Sequence, residues 1–146
     1  MRDLATASIF LVVIRSRATA NARLEVNENV RFAGEHMQRT TKESQTAALS
    51  GSCPSNTLNI TTDDGAVTYQ IVGGVLTRTL GAGAPESLTS SRVVVEIFNG
   101  QCVFTIVNGA FPARPTLLVK MKIRYNDGGK PELAFYDVIS TTFSLR

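Results

Sequence analysis

Ala22, Val26, Val30, Ala33 and Met37 recur at intervals of three and four, and Thr40 or Thr41 and then Ser44 continue the series. That spacing places them along one face of a helix. The opposite face carries Arg17, Asn21, Glu25, Glu28, Arg31, Glu35, Arg39 and Lys42. Glu28 with Arg31 and Glu35 with Arg39 stand at helical pair spacings, each worth roughly a few tenths of a kcal/mol. Upstream, Leu4 to Ile14 is an uninterrupted run of eleven uncharged residues, bounded by Arg2 and Asp3 on one side and by Arg15 and Arg17 on the other. No proline interrupts the passage from this run into the amphipathic stretch. The pattern predicts one helix over 4–48, apolar all round at first and amphipathic from 18 onward. A helix of about 45 residues is about 68 Å long, whereas a compact domain of this size has a radius of gyration of about 15 Å. Its first part is therefore expected to project into a membrane, a filament core or a partner.

The pattern changes near residue 50. Before it the only glycine is Gly34 and there is no proline; after it come all five prolines and the other ten glycines. Leu58-Asn59-Ile60 and Val67-Thr68-Tyr69-Gln70-Ile71 alternate apolar with polar, as half-buried strands do. Gly73-Gly74 is a two-residue hairpin signal leading into Val75–Leu80. A loop rich in Gly, Ser and Pro follows at Gly81–Ser91. Arg92–Phe98, Asn99-Gly100 and Cys102–Val107 read as a second hairpin. Leu117, Val119, Met121, Ile123 and Tyr125 alternate with Leu118, Lys120, Lys122 and Arg124, the clearest strand of the chain. Asn126-Asp127-Gly128-Gly129 is a turn, and Leu133–Leu145 supplies one or two closing strands. The expectation is an α+β domain, with an antiparallel sheet over 50–146 packed on the amphipathic helix of 18–48, and residues 1–17 standing apart as an apolar segment.

Composition narrows the function classes. The chain has 146 residues, enough for one domain and a sizeable core, and its hydrophobic content of 43% excludes a disordered chain. The net charge of +3 comes from 15 basic and 12 acidic residues spread through the chain, which does not predict nucleic-acid binding. The apolar run is shorter than the about 20 residues needed to span a bilayer alone. It also lacks the basic start and small-residue cleavage site of a signal peptide. Cys53 and Cys102 leave two readings open: a disulfide if the chain is exported, or two buried thiols in a reducing compartment.

Candidate chemistry is sparse. His36 is the only histidine and has no visible catalytic partner, and one His with two Cys does not complete a four-ligand zinc site. Asp63-Asp64-Gly65 and Asn126-Asp127-Gly128 lack EF-hand spacing and read as turns. Asn59-Ile60-Thr61 fits a glycosylation acceptor but falls in an alternating strand. Gly81-Ala82-Gly83 lacks the Gly-Lys-Ser/Thr ending of a phosphate loop. Neither catalysis, a metal nor a cofactor is expected.

Several local stretches, taken in order, resemble one family. Val30-Arg31-Phe32-Ala33-Gly34-Glu35-His36-Met37-Gln38-Arg39 resembles the R-F-A-x-E-x-M-x-R stretch in the helix of minor pilins. Val67 to Arg78 resembles their Y-x-hydrophobic-x-G-G-x-L-x-R hairpin, and Leu88-Thr89-Ser90 resembles their lead into a central strand. Thr141-Thr142-Phe143-Ser144-Leu145-Arg146 resembles their closing T-T-hydrophobic-S-L-R. The chain is thus similar to type IV pilin-like proteins, especially J-class minor pseudopilins of type II secretion and PilW-like minor pilins. Members of that family carry a basic leader, a Gly-Phe cleavage junction and an early Glu, none of which is matched here. The expectation is a sequence lacking the leader and the start of the membrane helix; a degenerate family member is the alternative.

The resemblance implies a pilin-like fold and a structural subunit of a filament. Its partners would be other pilin or pseudopilin subunits, and its helix would lodge in the cytoplasmic membrane with the globular domain on the periplasmic or extracellular side. Ile9, Phe10, Leu11, Val12, Val13 and Ile14 would form the membrane or filament-core surface, while Ala22, Val26, Val30, Ala33 and Met37 would hold the helix to its own sheet. The alternative is a membrane-tethered extracellular binding or adhesion module, with Gly81–Ser91 and Asn108–Pro115 as its recognition loops.

Overall fold

The computed structural model describes residues 2–108, 114–130 and 133–145, with side chains from residue 16 onward. It is an α+β arrangement: one N-terminal helix, α1 (Arg2–Lys42), followed by antiparallel strands in two sheets. At 41 residues α1 is about 60 Å long. Ala22, Val26, Ala33 and Met37 are buried and Val30 is partly buried against the core. This stripe holds the helix to the sheets, chiefly to β8 (Thr116–Tyr125) and β9 (Tyr136–Ser144).

The helix stops earlier than the periodicity predicts. Residues 44–48, expected as its last turns, belong instead to strand β1 (Ser44–Ser50). The ending is built from hydroxyls. Thr41 Oγ1 donates to the Gln38 carbonyl at 2.9 Å, Ser44 Oγ donates to the Thr41 carbonyl at 2.6 Å, and the Glu43 N–H reaches the Thr40 carbonyl at 3.2 Å. Carbonyls otherwise left without partners at a helix end are thereby satisfied, and Arg39 and Lys42 lie in the last turn, where positive charge suits the helix dipole. Beyond it, Thr46 to Ser50 gain backbone partners in β2 (Thr57–Thr62). Apolar spacing alone does not distinguish the two outcomes; the available ladder does.

The first sheet has the order β1-β2-β3-β4-β5, with β3 (Gly65–Val72), β4 (Val75–Leu80) and a two-residue β5 (Glu86–Ser87). Gly73 and Gly74, with φ of 56° and 77°, make the β3–β4 turn in the left-handed region that glycine tolerates best. The second sheet is centred on β8, which pairs with β9 along one side. Along the other side it pairs with β6 (Val93–Glu96) and β7 (Phe104–Val107), placed one after the other. The single sheet of the sequence-based expectation is thus two sheets, joined where the Val95 N–H donates to the Gly74 carbonyl at 2.8 Å.

The expected hairpin between Arg92–Phe98 and Cys102–Val107 does not form. Val93 to Glu96 face Tyr125 to Lys122, and Phe104 to Val107 face Val119 to Thr116. Both strands therefore run the same way along one ten-residue partner, with 97–103 as an excursion between them. Cys53 and Cys102 are bonded, with S–S 2.01 Å and Cα–Cα 5.0 Å. Asn56, itself buried, accepts from the Phe104 N–H at 3.0 Å and donates to the Phe104 carbonyl at 2.7 Å. These links hold the start of β7 to the loop before β2 rather than to β6. The core between helix and sheets contains Leu58, Ile60, Tyr69, Leu76, Phe104, Leu117, Val119, Met121 and Ile123, all at most 1% exposed.

Candidate assembly interface

From residue 16 onward, Ser16 and Arg17 are exposed, Ala18 and Thr19 are half-buried, and Ala22 is the first fully buried position. Some 30 Å of helix backbone precedes Ala22 at 1.5 Å per residue, about half of α1. Ile9, Phe10, Leu11, Val12, Val13 and Ile14 belong to this half, but their side chains lie outside the described residues. Among the described residues no helix is long and apolar enough to cross a membrane.

From Ala22 onward two polar clusters clamp the helix to the strands. In the first, Asn29 donates to the Glu25 carbonyl at 2.8 Å, and its Oδ1 accepts from the Ser90 N–H at 2.9 Å. Ser90 Oγ donates to the Glu25 carboxylate at 2.6 Å, and Arg92 stands 3.9 Å from the same carboxylate. Sequence reading placed Glu25 on the solvent face and gave Asn29 no role. Instead, Asn29 is buried and the Glu25 side chain is only 19% exposed. Neither residue breaks the helical period, so only the loop at Ser87–Ser90, lying over this side of α1, reveals them. The predicted charge pairs also change: Arg31 pairs with Glu35 at 3.4 Å, and neither Glu28–Arg31 nor Glu35–Arg39 forms an ion pair.

The second cluster surrounds Tyr69. Its hydroxyl lies 2.6 Å from Thr40 Oγ1 and 3.0 Å from His36 Nδ1, while Thr40 Oγ1 donates to the His36 carbonyl at 3.1 Å. With the threonine proton used on that carbonyl, the tyrosine proton goes either to Thr40 or to His36. Burial, followed by the nearby Arg78 and Arg39 charges, lowers the pKa of His36 from its ordinary value. Burial raises that of Tyr69. A neutral imidazole and a neutral phenol are thus the forms the packing favours. The arrangement has the character of a buried polar clasp between helix and sheet, where each removed group would strand another.

Outside these clamps, α1 presents Leu24 and Phe32, 55% and 54% exposed. Phe32 lines an open groove of about 580 Å³ with Glu28, Asn29, Arg31, Glu35 and the segment Ser87–Ser90. The loop Gly81–Ser91, singled out in the sequence, therefore reaches the helix at its end. The loop Asn108–Pro115 lies largely outside the described residues. Asp63-Asp64-Gly65 is the β2–β3 turn, and Asn59 sits in β2 bonding Ser50 and Thr68. Among the described residues, no group of three or more His, Cys, Asp or Glu side chains comes together to hold a metal ion. No family model matches the chain, and neither a curated protein nor a solved structure matches it significantly.

Proposed function

We propose that this chain is a structural minor subunit of a filament of the type IV pilus or type II secretion pseudopilus kind, assembling through its N-terminal helix. The observation that carries the reading is the division of α1. Its second half is clamped to its own sheets from Ala22 onward, and its first half holds the uncharged run Leu4 to Ile14. Apolar surface exposed to water costs roughly 25 cal/mol per Å². Such a run is stable in lipid or against neighbouring helices, and a filament core offers the second environment. A long helix backed by antiparallel sheets is also the arrangement that the pilin-like motifs imply. On this reading the protein is not an enzyme. Its partners are other pilin-like chains, and its globular part faces the periplasm or the cell exterior from the cytoplasmic membrane.

The test is copurification from membranes after co-expression with the neighbouring genes. Recovery of chains with pilin-like N-terminal helices supports the proposal. A soluble monomer without such partners refutes it. A second reading, a membrane-tethered binding module, draws on the open groove between Phe32 and Ser87–Ser90. A ligand protected from exchange at that groove, on a chain that does not assemble, would favour it.

A further inference from the structure

The outer face of the second sheet is basic and half-exposed. Along β8, Leu117, Val119, Met121 and Ile123 point into the core, so Leu118, Lys120, Lys122 and Arg124 share the opposite face. The register sets Val94 and Glu96 of β6 and Tyr136, Val138 and Ser140 of β9 beside them on that face. Glu96 is the one acid among these neighbours, and it is engaged by Arg124 at 2.6 Å. Lys122 lies over the Tyr136 ring at 4.4 Å, and Tyr136 is 60% exposed. Neither lysine makes an ion pair with a described residue. The result is a half-exposed face with two available ammonium groups about 7 Å apart along the strand and an exposed aromatic ring beside them.

The complementary charge occurs elsewhere on the same chain. At the far end of α1, Glu43 is exposed just beyond the helix, and Asp63 and Asp64 are exposed at the β2–β3 turn. Ser44 pairs with Thr62, which brings these acids to one corner. Gln45 donates to Asp63, and no described cation pairs with any of the three acids. Lys42, on the same end, instead lines a separate groove with Arg114 and Phe143.

We infer that the outer face of the second sheet docks a second copy of this chain, whose Glu43, Asp63 and Asp64 corner meets Lys120 and Lys122. This rests on the filament reading and deepens it. Two different patches meeting in this way make a heterologous contact, which builds a ring or an open chain according to whether the rotation closes, and not a two-fold dimer. Opposite charge also sets register and speeds encounter more than it adds affinity.

The test uses the full chain in membranes or detergent, with zero-length carboxyl–amine cross-linking and sizing of the products. Cross-linked peptides should join Lys120 or Lys122 to Asp63 or Asp64 of another copy, and association should weaken as salt rises. K120E/K122E alone and D63K/D64K alone should each weaken self-association by roughly ten-fold. Mixing the two variants should restore it, as should combining all four substitutions in one chain, with circular dichroism confirming the fold. Assembly unchanged by either reversal would overturn this contact and leave the filament reading intact. Reversal that releases only a different protein, or duplex DNA binding the face as tightly, would overturn the second copy as occupant. A chain that associates neither with itself nor with pilin-like partners would overturn both this contact and the filament reading.

Discussion

Asn56 sits between the disulfide loop and β2 and acts as a one-residue strand against β7. Its side-chain amide accepts from the Phe104 N–H at 3.0 Å and donates to the Phe104 carbonyl at 2.7 Å, while Asn56 itself is 4% exposed. Asn56→Ala removes both bonds and leaves two main-chain groups of a buried residue unpaired. Each hydrogen bond contributes about 1 kcal/mol net, and each stranded buried group costs about 1–3 kcal/mol. Partial access of water to the vacated space offsets some of this, so the expected loss is about 2–4 kcal/mol. For a chain of this length that corresponds to a fall in Tm of roughly 5–15 °C. Asn56→Asp keeps the acceptor but sets a carboxylate oxygen against the Phe104 carbonyl in a buried site, and should cost at least as much as alanine at neutral pH. The assay is urea unfolding followed by far-UV circular dichroism without reductant, which keeps the Cys53–Cys102 bond closed in all variants. An alanine variant within about 0.5 kcal/mol of wild type, with an unchanged denaturant slope, would refute the claim that this amide holds β7 in place.

Reducing the Cys53–Cys102 bond, which spans 49 residues, should lower stability by about 4 kcal/mol on the loop-entropy account; the urea midpoint with and without reductant measures it, and no shift would refute it. His36 carries a pKa lowered from 6.5 by burial and then by Arg78. Because the folded chain binds that proton less readily than the unfolded chain, its contribution to stability is complete above pH 6.5 and is lost as pH falls from there through the folded value. A proton NMR titration of the imidazole giving 6.5 or higher would contradict this. Gly74→Ala should destabilise by about 1–2 kcal/mol, since φ is +77° and a Cβ would meet Val94 Cγ1 at 3.0 Å, at the seam between the sheets; an equally stable variant in thermal melts would count against that seam.

The strands were legible wherever one face is buried and the other wet. In β8 the alternation of Leu117, Val119, Met121 and Ile123 with polar neighbours coincides with the observed burial, because a period of two leaves little choice of face. The Gly73-Gly74 turn was legible for the same local reason: few residues other than glycine adopt its backbone angles. By contrast, Asn99 and Gly100 also take positive φ, at 50° and 67°, yet the segments flanking them do not pair with each other. A turn signal specifies a local reversal, and strand partners are chosen by what else the chain offers, here the full length of β8. Of the candidate interface, the helical stripe was legible. Asn29, Glu25 and Ser90 were not, because Ser90 lies more than 60 residues from the other two and meets them only after packing.

By itself the sequence determined an N-terminal helix, its buried stripe from Ala22 to Met37 and an antiparallel region beyond it, since each depends on periodicity within a few neighbouring residues. Only the tertiary structure decided where the helix ends, that Ser44–Ser50 joins a sheet, that the strands divide into two sheets, and that Lys120 and Lys122 share a face with no acid to spare. Those outcomes depend on which distant backbone and side-chain groups remain available once the core has closed, and hydrogen-bond partners and charges brought together in space leave no periodic mark along the chain.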